Sequence, residues 1–389
     1  MKDIYIIATK RTPFGKYNGQ LKDFDAVELG EIALTAAIEA AGIKPTEVDS
    51  LLLGNVISAN LGQNAARQIA LRSGMSEQST ALVVNQVCGS SLKALRIAEG
   101  LMNMGDASIV AVGGSESMTN APMMQKRVVD EGADNPLFNS MLRDGLMDPL
   151  SGQHMGITAE NVAAKYHISR LEQDKFAFES HQKAYAATAN DWYENELIKF
   201  EHDGQKVEQD QNIRPDTNLD KLASLKPAFK PDGIVTAGNS APLSDGASMM
   251  ILATAEKVAE LGLKPIAKIT GYAEIGTDPA LMGYAPYYAI TKLLGSTKTT
   301  IADYDLFEIN EAFAAQAVAV QRDLNVPMKK LNIAGGALAI GHPLGATGSR
   351  LIGALINNLK QTAQKKGIAS LCIGGGMGIA YAIEVVDYE

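Results

Sequence analysis

The chain has 389 residues, 46% of them hydrophobic and 20% charged, with a formal net charge of −9. That length supports two or three domains with sizeable cores, and the acidic balance argues against nucleic acid as a main partner. Two cysteines exclude a disulfide framework, and no apolar run reaches the ~20 residues of a membrane helix.

The opening "MKDIYIIATKRTPFG" is too quickly charged for a secretory signal, so the expectation is a soluble, cytoplasmic protein with no membrane partner. Along the chain, "IYIIA" reads as a buried strand. "AVELGEIALTAAIEAAGI" has helical spacing and stops at Gly42. "SLLLGNVI" and "ALVVN" read as strands, "LKALRIAEGLMNMG" as a helix closed by Gly105, and "ASIVAVGG" as another strand. Residues 118–243 are polar and partly helical ("TAENVAAKYH", "EQDKFAFESHQKAYAATAND"), too long for a structureless loop. Strand patterns return at "AKITGYAEI", "LFEIN" and "ASLCIGGG". Between them, "SRLIGALINNLKQTAQKKG" reads as a helix ending at Gly367. Strands alternating with helices indicate an α/β protein.

The order repeats. A helix leads to a buried strand, a turn opens a helix at "CGSSLKALRIAEGLMNMG" and again at "HPLGATGSRLIGALINNLKQ", and a short strand runs into glycines at "ASIVAVGGSESM" and "IASLCIGGGMG". The period is roughly 250 residues, which suggests duplicated domains rather than a solenoid. The expected organisation is a first half made of residues 1–117 and 244–265, an insertion at 118–243, and a second half at 266–389.

The repeat places Cys88 and His342 at equivalent helix starts. A cysteine is by residue type a small buried hydrophobe. A helix N-terminus and a nearby imidazole would instead stabilise its thiolate and make it a nucleophile. If the halves pack about a pseudo-twofold axis, the two helix starts face each other and the pair meets. His342 in "GGALAIGHPLGATGS" is either a packing histidine or part of a site where backbones approach closely. Pro343 suits a first helical position. Cys372, in "LCIGGGMG", is either a core residue or a second thiol acting as acid or base beside glycine N–H groups. Asn310, in "EINEAFA", is either a helix cap or the holder of a water. The glycines at 374–378 do not form a dinucleotide fingerprint, and the histidines and cysteines show no metal-ligand spacing, so no cofactor or metal is expected.

Together "NQVCGSSLKAL", "HMGITAENVA", "VTAGN…LSDGA", "NEAFAAQ", "GGALAIGHPLGATGSR" and "CIGGGMGIA" resemble the thiolase superfamily in order, over essentially the whole chain. The resemblance implies two βαβαβαββ halves in a five-layered α/β sandwich, with a CoA-binding loop domain inserted in the first. It implies that Cys88 takes an acyl group from acyl-CoA, that His342 activates it, and that Cys372 removes the α-proton of a second acetyl-CoA. Asn310 would hold a water that joins His342 in one oxyanion hole, and the N–H groups of Cys88 and Gly374 would form the other. The implied reaction joins two acetyl-CoA into acetoacetyl-CoA and CoA through an acetyl-cysteine.

"HMG" at His154–Gly156 is similar to biosynthetic acetoacetyl-CoA thiolases, where the Met lines a short acyl pocket. Phe229, Met282 and Phe313 match further pocket or pantetheine positions, and Arg214 one near the CoA phosphates. Ser240 completes the expected contacts, although Ala241 stands where relatives carry a pantetheine-bonding serine, Lys221 replaces a frequent serine, and "MGYAPYYA" departs from the usual "GPIPA". The HMG residues, Phe229, Met282 and Phe313 have a plain core-packing alternative. The rival readings are a long-chain 3-ketoacyl-CoA thiolase, with the same chemistry and a wider pocket; a ketoacyl synthase, which shares the fold and a cysteine nucleophile but decarboxylates and so would not need Cys372; and a non-catalytic lipid-binding relative, disfavoured because all four polar positions are present. The resemblance also implies a homotetramer, a dimer of dimers.

Overall fold

The structure is a computed structural model that describes residues 2–127 and 135–386. Met1, 128–134 and 387–389, which the domain spans above include, lie outside the described residues. The longer strands are β1 (Ile4–Arg11), β2 (Ser50–Gly54), β3 (Thr80–Val84), β4 (Ile109–Ser117), β5 (Ser244–Thr254), β6 (Ala267–Gly276), β7 (Leu306–Ile309), β8 (Lys366–Ile373) and β9 (Met377–Val385). The main helices are α1 (Ala26–Ala41), α2 (Ala65–Arg72), α3 (Ser90–Met104), α4 (Met155–Lys165), α5 (Arg170–Ala189), α6 (Ala285–Thr297), α7 (Ala314–Leu324) and α8 (Thr347–Gln361).

The strands lie in the order β7-β8-β9-β6-β1-β5-β4-β2-β3. Within the sheet the halves meet at β1 and β6, where Tyr5 pairs with Lys268 and Ile6 with Ala267. Because side chains alternate across a strand, each half has two apolar faces to cover. Leu52, Val110, Val112, Met250 and Leu252 of the first half share one core with Leu371, Ile373, Ile379 and Ile383 of the second, and Leu95 of α3 and Leu355 of α8 fill the space between. The opposite face of the first half, with Leu51, Leu53, Ile109 and Ile251, packs on Leu34 of α1 and Ile69 of α2. That of the second, with Phe307, Ile368 and Ala382, packs on Leu293 of α6 and Val320 of α7. The result is five layers, helix–strand–helix–strand–helix, as the thiolase resemblance implies.

The first half runs β1-α1-β2-α2-β3-α3-β4-β5. The second matches it except that no strand answers β3: Leu331 makes a single parallel bridge to Phe307. Asn332 then turns away with φ 43. Its side chain substitutes for the missing ladder, Oδ1 accepting from Ile309 N at 2.9 Å and Nδ2 donating to Ile309 O at 2.9 Å. Burial leaves those backbone groups no water, so the amide must supply the partners.

Two expectations need correction. Gly367 does not close α8, which ends at Gln361; it lies inside β8, opposite Leu306. A Cβ there would sit 2.5 Å from Leu355 Cδ1, so packing, and not a left-handed cap, requires the glycine. Pro343 lies before a short 3₁₀ turn, Leu344–Ala346, rather than at the first position of α8. The sequence pattern also passed over β5, "SDGASMMILAT", because its small and polar residues interrupt the apolar run although every position is buried. Among the described residues no helix is long and apolar enough to cross a membrane.

Candidate active site

Cys88 lies in a tight turn between β3 and α3. Val87, a β-branched residue, has φ 47 there, a backbone strain typically worth about 1–3 kcal/mol. The turn is locked by its own polar groups. Val87 N donates to Asn85 Oδ1 at 3.0 Å, Gln86 N to Ser90 Oγ at 2.9 Å, and the Ser90 hydroxyl to Val87 O at 2.6 Å.

His342 arrives from the other half on a loop that crosses the ends of β2 and β4. The crossing is glycine on glycine: a Cβ at Gly114 would sit 1.9 Å from Gly345 O, and one at Gly54 2.8 Å from the same atom. Only residues without a Cβ let the backbones approach this closely. Glu116, at the end of β4, fastens the loop by accepting from Gly345 N at 2.9 Å as well as from Val56 N and Ile57 N. Ser244, at the start of β5, accepts from His342 N at 3.3 Å.

The loop and the turn bring the two side chains together. His342 Nε2 is 3.3 Å from Cys88 Sγ, and Asn310 Nδ2 lies 3.4 Å from the same nitrogen. The tautomer follows from Thr347. Its hydroxyl is 2.9 Å from Pro343 O, which only accepts, and 2.6 Å from His342 Nδ1. One hydroxyl proton cannot serve both, so it goes to Pro343 O, and His342 Nδ1–H donates to Thr347 Oγ. Nε2 is left with its lone pair toward the thiol. Burial, with Arg350 adding to it, pushes His342 down to about 3. Burial pushes Cys88 up to about 12, against the N–H groups of Gly374 and Cys88 itself, which favour the thiolate. The resting pair is a neutral thiol and a neutral imidazole.

A cleft of about 380 Å³ opens above the pair. Of the residues named from sequence, Cys88, His342, Gly374, His154, Met155, Arg214, Phe229, Ser240, Met282 and Phe313 line it. Asn310 and Cys372 are fully buried behind the wall. Asn310 is no helix cap: α7 begins after Phe313 and has no side-chain cap. Cys372, at the end of β8, packs with Met155, Met282, Ala312 and Phe313. Burial raises its pKa, and charge on Cys88 raises it further. The two sulfurs therefore resist being ionised together.

His154 caps α4, with Nδ1 accepting from Gly156 N at 3.0 Å, and stacks on Phe229 at 4.8 Å between centroids. Gly156 is a glycine because a Cβ would enter the Phe229 ring, 2.2 Å from its Cγ. Phe229 meets Phe313 edge-on at 5.9 Å. Arg214 reaches the cleft from a loop held by His181, whose Nδ1 accepts from Arg214 N at 3.2 Å. Ser240 donates to Thr236 O at 2.7 Å, so its hydroxyl proton is already engaged.

Sequence reasoning missed Thr347, Ser244, Glu116 and the segment Met141–Leu146, a π-type turn that lines the cleft with Leu142, Gly145 and Leu146. Thr347, in "HPLGAT", was within reach of a search for a hydroxyl just after the histidine. The others carry no local signal.

The thiolase N-terminal domain model matches residues 4–256 and the thiolase C-terminal domain model residues 263–385. The chain belongs to the thiolase family. It is 45% identical over 390 residues to a probable acetyl-CoA acyltransferase of Staphylococcus epidermidis, covering 98% of this chain and 99% of that one. It is 44% identical over 391 residues to the acetyl-CoA acetyltransferase of Cupriavidus necator, covering 99% and 100%. Among solved structures, human mitochondrial 3-ketoacyl-CoA thiolase in complex with CoA superposes with a TM-score of 0.96 at 39% identity, over 99% of this chain and 98% of that chain. The acetyl-CoA acetyltransferase of Bacillus anthracis does so at 0.96 and 38%, over 99% of each. This thiolase is accordingly an acyltransferase acting on CoA thioesters.

Proposed function

We propose that this thiolase is an acetyl-CoA C-acetyltransferase that joins two acetyl-CoA molecules reversibly into acetoacetyl-CoA. The observation that carries the chemistry is the 3.3 Å contact between the Cys88 thiol and the lone pair of His342 Nε2 at the floor of the cleft.

In the first half-reaction His342 takes the Cys88 proton, and the sulfur attacks the thioester carbonyl. The N–H groups of Cys88 and Gly374, which already point at the sulfur, receive the oxyanion. As the tetrahedral intermediate collapses, the CoA thiolate leaves with the proton of Cys372. His342 keeps its own proton, which makes Nε2 a donor. Ionisation of Cys372 becomes easier at this stage, because acetylated Cys88 carries no charge to oppose it.

In the second half-reaction the Cys372 thiolate takes an α-proton from a new acetyl-CoA. The enolate oxygen is held by His342 Nε2–H and by a water on Asn310. The enolate carbon attacks acetyl-Cys88, and the departing sulfur recovers its proton from His342. Every proton is thereby returned, and no cofactor is needed.

The acetyl preference is supported by the wall beside Cys88. Met155, Met282 and Phe313 are buried in one cluster with Cys372, so side chains occupy the space into which a long acyl chain would extend. A second reading, a thiolase for longer 3-ketoacyl chains, is favoured by the apolar side formed by Leu142, Leu146, Leu243 and Leu344. The acyl-chain profile of thiolysis separates them. We expect kcat/KM for acetoacetyl-CoA to exceed that for a long-chain 3-ketoacyl-CoA by about tenfold or more, a difference of the size pocket fit can supply. The reverse order would establish the second reading.

A further inference from the structure

Arg350, on the first turn of α8, is 1% exposed and does not line the cleft. A buried guanidinium is costly to keep unless something holds it or needs it. Two of its donors are used: Nη1 to Glu308 Oε2 and Nη2 to Asn310 Oδ1, each at 3.5 Å. Among the described residues its Nε has no hydrogen-bond partner. This incomplete pairing calls for a reason beyond packing.

We propose that Arg350 is a positioning residue for the carbon–carbon bond-forming half-reaction: it fixes which way the Asn310 amide faces and places a positive charge behind the site where the enolate oxygen forms. The inference rests on the thiolase mechanism above.

The first part follows from what Asn310 is free to do. Its backbone is clamped on both sides, N donating to Ser370 O at 2.9 Å and O accepting from Gln316 Nε2 at 2.9 Å. Only the side-chain torsions remain. An amide has one accepting and one donating end, and a guanidinium only donates. Arg350 therefore holds Oδ1, and Nδ2 is turned toward His342 and the oxyanion position.

The second part follows from the charges that face Arg350, which are Glu308, Arg11, Glu196 and Glu311. Glu196 is already held by Arg11 at 2.7 Å. Glu311 accepts from the Ser180 hydroxyl at 2.6 Å and from Asn332 Nδ2 at 2.7 Å. Burial pushes the Glu308 carboxyl up against the pull of Arg350, so at 3.5 Å from Nη1 it is a weakened counter-charge and leaves part of the Arg350 charge to act on the site. The same charge opposes protonation of His342, which keeps that imidazole a free base for the acetylation step.

The two half-reactions should respond differently. The enolate step uses both the amide orientation and the charge, whereas acetylation of Cys88 uses neither directly. Arg350→Met removes the guanidinium. Glu308→Gln with Arg350→Gln removes both charges, so that none is left buried alone if the single variant fails to fold. Acetylation is followed with labelled acetyl-CoA by rapid quench, and the enolate step by deuterium exchange into the acetyl-CoA methyl group.

We expect acetylation at pH 8 to stay within about threefold of the parent, while exchange and condensation fall by about thirtyfold or more, the scale of a lost oxyanion contact. The acid limb of acetylation should move to higher pH as His342 becomes easier to protonate, and Arg350→Lys should recover part of the exchange. Equal losses in both half-reactions, or exchange within about threefold of the parent, would overturn the assignment. A parent enzyme that neither acetylates nor exchanges would instead remove the thiolase mechanism on which it rests.

Discussion

At the scale of single residues, the site separates a group that reacts from a group that orients. Thr347 touches no substrate in this arrangement, yet it decides which imidazole nitrogen is free, because its only proton is committed to Pro343 O. Thr347→Val leaves the Nδ1–H without an acceptor and releases the tautomer. We expect Cys88 acetylation to slow about tenfold or more, with stability down by about 1–2 kcal/mol, while Thr347→Ser keeps both. Stopped-flow acetylation beside a urea melt measures both effects. The two thiols differ in the same way. Cys372→Ala should still accept a labelled acetyl group but neither exchange α-protons nor condense, and Cys88→Ala should accept none. Peptide mapping of the label decides, and a label on Cys372 would reverse the roles.

At the scale of elements, what carries His342 to Cys88 is the crossing of one loop over two strand ends. Gly345→Ala would put a Cβ 2.6 Å from Gly54 O and 3.0 Å from Asn55 Cα, both backbone atoms that cannot rotate away. We expect a loss of about 1–3 kcal/mol in denaturant melts and a larger fractional loss of acetylation than of CoA affinity. The helix α5 makes a second, pH-dependent link. Burial and Arg214 hold His181 down to about 4, so at neutral pH it is an uncharged acceptor for Arg214 N. An unfolded histidine binds a proton near 6.5 and the folded one does not, so this contribution to stability is lost as pH falls from 6.5 toward 4. His181→Asn should gain on the parent by up to about 3 kcal/mol across that window, read from melts at each pH. Much of this element plan was legible in the sequence. The helices ending at Gly42 and Gly105, most of the strands, and Cys88 just ahead of a helix follow from periodicity and repeat; "ALVVN" and "AKITGYAEI", read as buried, keep exposed positions as β3 and β6, and His342 stands five residues before α8 rather than at its start. What was not legible depends on contacts between distant segments. β5 looks irregular until both of its faces are covered, Gly367 looks like a cap until Leu355 is placed against it, and Glu116 acquires a partner only when the other half folds over it.

At the scale of the whole molecule, the two ends of the strand order are finished differently. At the β7 end, Asn332 fills the backbone groups of Ile309 and closes the edge. At the other end β3 has β2 as its one strand partner among the described residues; Asn64 Nδ2 fills only Ala81 O, at 3.1 Å, and the residues of β3 alternate between exposed and half-buried up to Val84. Leu82, at the centre of β3, is 47% exposed. An open, apolar edge strand is a template for another strand, and proteins that leave one uncharged tend to cover it. β3 itself carries no charged residue. We therefore expect this edge to be an interface between copies of the chain, and so the nucleus of the homotetramer that the family resemblance implies. Because β3 leads directly into the strained turn holding Cys88, pairing there would also steady the nucleophile. Leu82→Lys puts a charge where a second copy would lie and leaves the monomer's core intact, since the side chain faces outward. Light scattering at micromolar concentration should show a lower oligomer than the parent, and acetylation should fall with it, recovering as protein concentration rises. An unchanged mass would place the interface elsewhere on the molecule.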